Sequence, residues 1–278
     1  MTKQKKRGLS VIWELAAPLL LYMVISDMTL FAGQMLGGGV TEVQVLPVNA
    51  MGAALAAIPL GIWYREKRRG SNALYEQKQG VARSGAYQSG AFYGSVMLII
   101  LLAIGACVFF NNLLMILDIS SAGFDRVRRM LAGPSLPVQI ICTGLVIPFA
   151  EELVFRGLVY ERLRDELPVW GAVLVSSVYF GIFHGNLVQG IYGVILGCMM
   201  AVLYQMYDSL AAAWLFHAAA NLTSIFMTRL GMQQFLAEHE VWMAAATAVG
   251  GILTLSSAYK IRKVKKQHEI IVHSNPML

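Results

Sequence analysis

About eight apolar stretches, each near the length that crosses a bilayer, divide this chain, and lysine and arginine cluster at alternate boundaries between them. A segment in lipid must satisfy every backbone N–H and C=O internally, which leaves helices and closed barrels as the options. The stretches are continuously apolar over roughly 20 residues rather than alternating over about ten, so they read as helices. The expected fold is therefore all-α, a polytopic membrane protein of about eight transmembrane helices. Composition agrees: of 278 residues 57% are hydrophobic and 14% charged, and the mean hydropathy of +0.59 is too high for a soluble domain. A net charge of +6 would suit nucleic acid, but the basic residues sit in short groups beside apolar spans. The expected partner is the lipid bilayer, and no nucleic acid.

The spans are expected at 11–32, 45–63, 92–110, 137–160, 169–184, 187–207, 210–228 and 241–259. Lys3, Lys5, Lys6 and Arg7 precede the first, which is too long for a signal-peptide core and lacks a cleavage site, so it reads as a retained span with a cytoplasmic N-terminus. That span also carries Glu14 and, near the far interface, Asp27. Arg65, Lys67, Arg68 and Arg69 follow the second span, and Lys260, Arg262, Lys263, Lys265 and Lys266 follow the last. Both termini are thus expected in the cytoplasm of a multi-pass cell-membrane protein. The polar stretch 70–90 reads as an interfacial or cytoplasmic connection. Arg126, Arg128 and Arg129, on the long far-side connection 111–136, break the charge rule and read as an interfacial amphipathic turn. Cys107, Cys142 and Cys198 have no metal-like spacing and read as small buried hydrophobes. The chain divides into N-terminal helices (1–136), a core (137–229) and a C-terminal helix with its basic tail (230–278).

Within the core, Ile147-Pro148-Phe149-Ala150-Glu151-Glu152-Leu153-Val154-Phe155-Arg156-Gly157 sets two carboxylates and an arginine inside an apolar run. A charge at the centre of a membrane helix costs about 2.5–3.5 kcal/mol, so such groups face a cavity or a partner. Glu152 and Arg156, four apart, can pair on one helix face, while Glu151 is turned about 100° away. The plainer reading is a helix end whose charges snorkel into headgroups. Pro148 removes a backbone donor and is expected to loosen or kink the helix just before the glutamates.

His184, His217 and Asn221 are the other polar residues in apolar context. Glu151 precedes the turn at Leu167 by nearly as many residues as His184 follows it, so both lie roughly 24–26 Å from that turn on antiparallel helices. His217 is expected at a compatible depth, with Asn221 on the same face and able to fix its tautomer. Each alone is more simply a helix–helix hydrogen bond; three helices burying polar groups at one depth argue for a site. Two chemistries stay open. Glu151, His184 and His217 are a donor set for Zn2+ with a free position for water, or Glu151 acts without metal as the general base on a water held by histidine. Gly193 and Gly197, with the alanines of 211–220, let the later helices pack closely. His239 lies in a polar loop, and His268 and His273 are five apart, which does not match a zinc helix.

Glu151-Glu152-x-x-x-Arg156, Phe180-x-x-x-His184 and His217-x-x-x-Asn221, in that order, resemble the three motifs of the CPBP family, the Abi-related intramembrane endopeptidases similar to type II CAAX prenyl proteases. The resemblance covers about 137–228 and includes the Phe155-Arg156-Gly157 that completes the first motif. It implies peptide-bond hydrolysis inside the bilayer, with Glu151 as water-activating base together with His184, with His217 and Asn221 binding water, metal or the oxyanion, and with Glu152 and Arg156 holding the site. The family includes bacteriocin-immunity members and leaves the metal open.

The function expected is an intramembrane endopeptidase acting on a peptide or membrane-protein substrate. The alternative is a non-catalytic membrane binding or immunity protein using the same polar cavity. A proton-coupled transporter would also bury acids, but no inverted repeat is evident and the polar residues gather in the second half.

Overall fold

The computed structural model describes residues 3–36, 38–79, 85–123 and 133–274. Among these residues there is no strand; the elements are the helices α1 (Lys3–Leu36), α2 (Glu42–Gln79), α3 (Gly85–Ile116), α4 (Leu136–Arg164), α5 (Val169–Phe183), α6 (Leu187–Tyr207), α7 (Leu210–Arg229), α8 (Met232–Glu238) and α9 (Glu240–Ser274). Seven of them contain a segment long and apolar enough to cross a membrane, with mean hydropathy from 1.4 to 2.4. The expected span at 169–184 is apolar but only 15 residues long, about 22 Å at ~1.5 Å per residue, short of a typical hydrocarbon core. The chain is an all-α, polytopic integral membrane protein.

The polar stretch after Gly70 is not a loop throughout. It contains no proline and several good helix formers, and α2 continues through it to Gln79 while α3 starts at Gly85. The arginine cluster at 126–129 lies outside the described residues.

Small residues set the packing. A Cβ on Gly105 of α3 would meet the Thr254 backbone nitrogen of α9 at 2.8 Å, and one on Gly181 of α5 would meet the Gly190 carbonyl of α6 at 2.6 Å. These contacts bring the two antiparallel pairs to backbone distance, the closest approach apolar helices can make in lipid. The α5–α6 hairpin turns at Gly185, which takes φ +68, and Asn186 caps α6 by accepting from the Gln189 N–H at 3.0 Å.

Helix α4 departs from regular α geometry on either side of its proline. Residues Ile140–Val146 and Leu153–Tyr160 are π-helical, with the α-helical Ile147–Glu152 between them. The expected loosening takes the form of a register shift: the Ile147 N–H donates to the Cys142 carbonyl, five residues back. In that register the next donor would be residue 148 and its acceptor Thr143, but Pro148 has no N–H. The Thr143 carbonyl is taken instead by the Asn221 amide of α7 at 2.9 Å, and the Leu145 carbonyl by the Trp214 indole N–H at 3.0 Å. Side chains of α7 thus complete α4's backbone bonding where proline interrupts it.

Candidate active site

Helices α4, α5, α6 and α7 meet around a cavity of about 670 Å³. Glu151, His184, His217 and Asn221 line it, whereas Glu152 and Arg156 are fully buried behind its wall. All six residues singled out in the sequence therefore converge, in two groups. Asp27 is exposed on α1 and does not line the cavity.

The buried group is built on the α4 face that holds Glu152 and Arg156. Arg156 donates through Nη1 to Glu152 Oε1 at 2.9 Å and through Nη2 to the Gly197 carbonyl of α6 at 3.0 Å. A Cβ on Gly197 would come within 3.2 Å of that guanidinium and 3.1 Å of Ser177, so the absence of a side chain there is what admits the arginine. The second half of the G-x-x-x-G on α6 therefore serves the ion pair as well as helix packing.

Glu152 has a second partner that the sequence did not reveal. Its Oε1 stands 2.8 Å from His217 Nδ1. A carboxylate beside an arginine only accepts, so Nδ1 carries the proton and Nε2 presents its lone pair to the cavity. Asn221, expected to fix this tautomer, is bonded to Thr143; the histidine is oriented by Glu152 instead. His184 is set the same way: its Nδ1 lies 2.8 Å from the Phe180 carbonyl, an obligate acceptor, which leaves Nε2 facing inward. Position 184 is the C-cap of α5, where a carbonyl is free to hold the ring.

Phe180 was visible only as part of a motif, yet it touches most of the site. The Arg156 guanidinium lies 4.6 Å from its ring centroid, and the rings of His184, His217 and Phe155 pack T-shaped with it at centroid separations of 4.7, 5.7 and 4.9 Å. It supplies a cation–π face to the buried charge and a wall to both imidazoles.

Glu151 Oε2 and His217 Nε2 face one another at 3.7 Å. That is too long for a direct hydrogen bond and leaves two acceptors toward the same space. Their chemistry, with that of His184 Nε2, suits a divalent metal, but among the described residues no three His, Cys, Asp or Glu side chains are arranged so as to hold one.

Residues 133–223 match the family model described as type II CAAX prenyl endopeptidase Rce1-like. Over that stretch the chain is similar to type II CAAX prenyl endopeptidases. A relative described as "Putative membrane peptidase YdiL" from Bacillus subtilis (strain 168) is 26% identical over 118 residues, which is 42% of this chain and 48% of that protein. The chain thus matches about half the length of this relative. No solved structure matches it. The match takes in α4 through most of α7, the helices that carry Glu151, Glu152, Arg156, His184, His217 and Asn221, and leaves α1–α3, α8 and α9 outside it.

Proposed function

We propose that the protein is an intramembrane endopeptidase that hydrolyses a peptide bond in a membrane-associated peptide or protein. The observation that carries this reading is the pair of proton acceptors, Glu151 Oε2 and His217 Nε2, held 3.7 Å apart at the wall of a cavity. A water donating to both is polarised by both, and the Glu151 carboxylate is placed to take its proton.

The steps then follow from the chain's own groups. Glu151 accepts a proton from the water as its oxygen attacks the carbonyl carbon of the scissile bond. Asn221 uses one amide hydrogen on Thr143 and has a second for the developing oxyanion. Glu151 returns the proton to the leaving nitrogen as the C–N bond breaks. His184, with Nδ1 anchored on Phe180, offers Nε2 to the same water or product. Glu152 and Arg156 touch no reacting atom and position His217. Among the described residues Glu151, His184 and His217 do not close around one point, and the steps above use the side chains alone.

The charge pattern supports a chain with both termini in the cytoplasm. Basic residues mark the start of α1, the 65–69 segment of α2, the Arg162 and Arg164 end of α4 and the 260–266 segment of α9.

The test compares peptides released from membranes of cells producing wild type and His184→Ala at equal protein level, and repeats the comparison on purified protein before and after chelation. Loss of products in the variant supports the reading. Loss on chelation with recovery on zinc moves the water onto a metal held by Glu151, His184 and His217. Identical peptides from variant and wild type leave the cavity as a binding or immunity site.

A further inference from the structure

Among the described residues the cavity is closed at one end of the helix bundle and open at the other. Toward the basic ends of the helices it stops at Met200 and Phe216, beneath which Arg156, Phe155, Tyr160, Tyr204 and Tyr207 are packed without solvent. The same end is tied shut by ions: the Arg68 guanidinium holds both carboxylate oxygens of Asp208, and the Tyr204 hydroxyl donates to Glu161 at 2.7 Å.

In the other direction the lining runs outward from Glu151 and His184. It continues past Asn221 and Ser224 to Thr228 and Arg229, both exposed at the end of α7. The opposite wall comes from the first turns of α2, at Val45 and Asn49, and from Gln139 at the start of α4. Every one of these helix ends lies opposite the basic segments at the start of α1, at 65–69, at Arg162 and Arg164 and at 260–266. The short α5 contributes to the same opening: its turn at Gly185 comes directly after the cavity residue His184, so α5 and α6 meet at the depth of the site.

We propose that substrate enters from the extracytoplasmic face, as an extended peptide strand reaching down from the outer rim to Glu151. This rests on the endopeptidase reading for the word substrate, and on the orientation given above. From Arg229 to His217 is about 18 Å along α7 at ~1.5 Å per residue, which an extended strand covers in about five residues. Among the described residues the rim is polar and carries Arg229, which is fixed by bonds to Gln139 Oε1 at 3.1 Å and to the Pro134 carbonyl. The substrate class is therefore a secreted or membrane-anchored peptide exposed outside the cytoplasm, which a cytoplasmic chain end does not reach.

The experiment is cysteine accessibility in whole cells with a membrane-impermeant maleimide, wild type serving as the background for Cys107, Cys142 and Cys198. Ser224→Cys probes the cavity wall, Thr228→Cys the rim and Asp165→Cys the opposite end. The expected result is labelling of Ser224→Cys and Thr228→Cys in intact cells, and of Asp165→Cys only after permeabilisation. Labelling of Ser224→Cys only from the cytoplasmic side, in inverted vesicles, overturns the proposal, and so does a Ser224→Cys that stays unlabelled from both sides while Thr228→Cys is reached. If one variant fails to accumulate, the other still reports the side. Labelling needs no turnover: an outward-open cavity on a protein that cleaves nothing defeats the endopeptidase reading alone, and an active protein labelled from the cytoplasm defeats this one alone.

Discussion

His217 is held through Nδ1 by Glu152 Oε1 at 2.8 Å, and that same oxygen receives Arg156 Nη1 at 2.9 Å. One carboxylate oxygen thus joins the buried charge of α4 to the imidazole of α7, and the neighbouring Glu151 is left for the cavity.

Glu152→Gln keeps the shape of the side chain while removing the charge that fixes the tautomer of His217. Replacing the carboxylate that sets the tautomer of a working histidine by its amide costs up to about 10⁴-fold in kcat, and a loss of at least about tenfold in turnover is expected. The discriminating readout is KM, which should stay near wild type while kcat falls. A purely structural role would instead lower the amount of folded protein and leave the kcat of the remainder intact.

Arg156→Ala strands Glu152 as a buried charge facing the His217 ring. Breaking such a pair typically costs about 3–5 kcal/mol, so the variant should unfold at markedly lower temperature in detergent or fail to accumulate. Arg156→Lys keeps the charge but not the second bond to the Gly197 carbonyl, and should fall between the two.

The bond from Asn221 to the Thr143 carbonyl exists because Pro148 offers no hydrogen. Asn221→Ala should therefore destabilise by about 1 kcal/mol, the usual net worth of such a bond. Pro148→Ala supplies a backbone N–H in the same register, so the double variant should recover most of the loss. Thermal unfolding of the four proteins in a double-mutant cycle measures this directly, and strict additivity would show that the proline and the asparagine are unrelated.

Gly197→Leu should prevent the site from forming at all. A first side-chain carbon there already crowds Ser177 and the Arg156 guanidinium at 3.1 and 3.2 Å, and both belong to rigid helices. Overpacking of this kind typically costs about 1–3 kcal/mol or more. Gly190→Ala on the same helix, where a Cβ would have 3.5 Å to its nearest neighbour, should be far milder.

How much of this was legible beforehand follows from which interactions are local. The Glu152–Arg156 pair is an i, i+4 contact on one helix and could be written down from spacing alone. The shared depth of Glu151 and His184 followed from the turn at Leu167, since two antiparallel helices leaving one turn rise together. The partner of His217 was not accessible in that way, because it depends on which face of α4 meets α7. Asn221 was assigned to its own helix neighbour when its real acceptor lies across the interface. The clue was present in Pro148, which frees a carbonyl four or five residues earlier and so requires a donor from another helix. The π-helical turns of α4 were hidden for a related reason: register shifts depend on which outside groups satisfy the freed backbone. The early stop of α5 was masked by the apolar character of Phe183, which let the span read on into His184.

Hydrolysis by the proposed route depends first on Glu151 activating the water. The most direct measurement is mass spectrometry of peptides released from membranes by purified wild type and by Glu151→Gln reconstituted in the same lipid, with matched folding by circular dichroism. Cleavage products are expected from wild type and none above background from the folded variant. Equal product from both would contradict that role of Glu151.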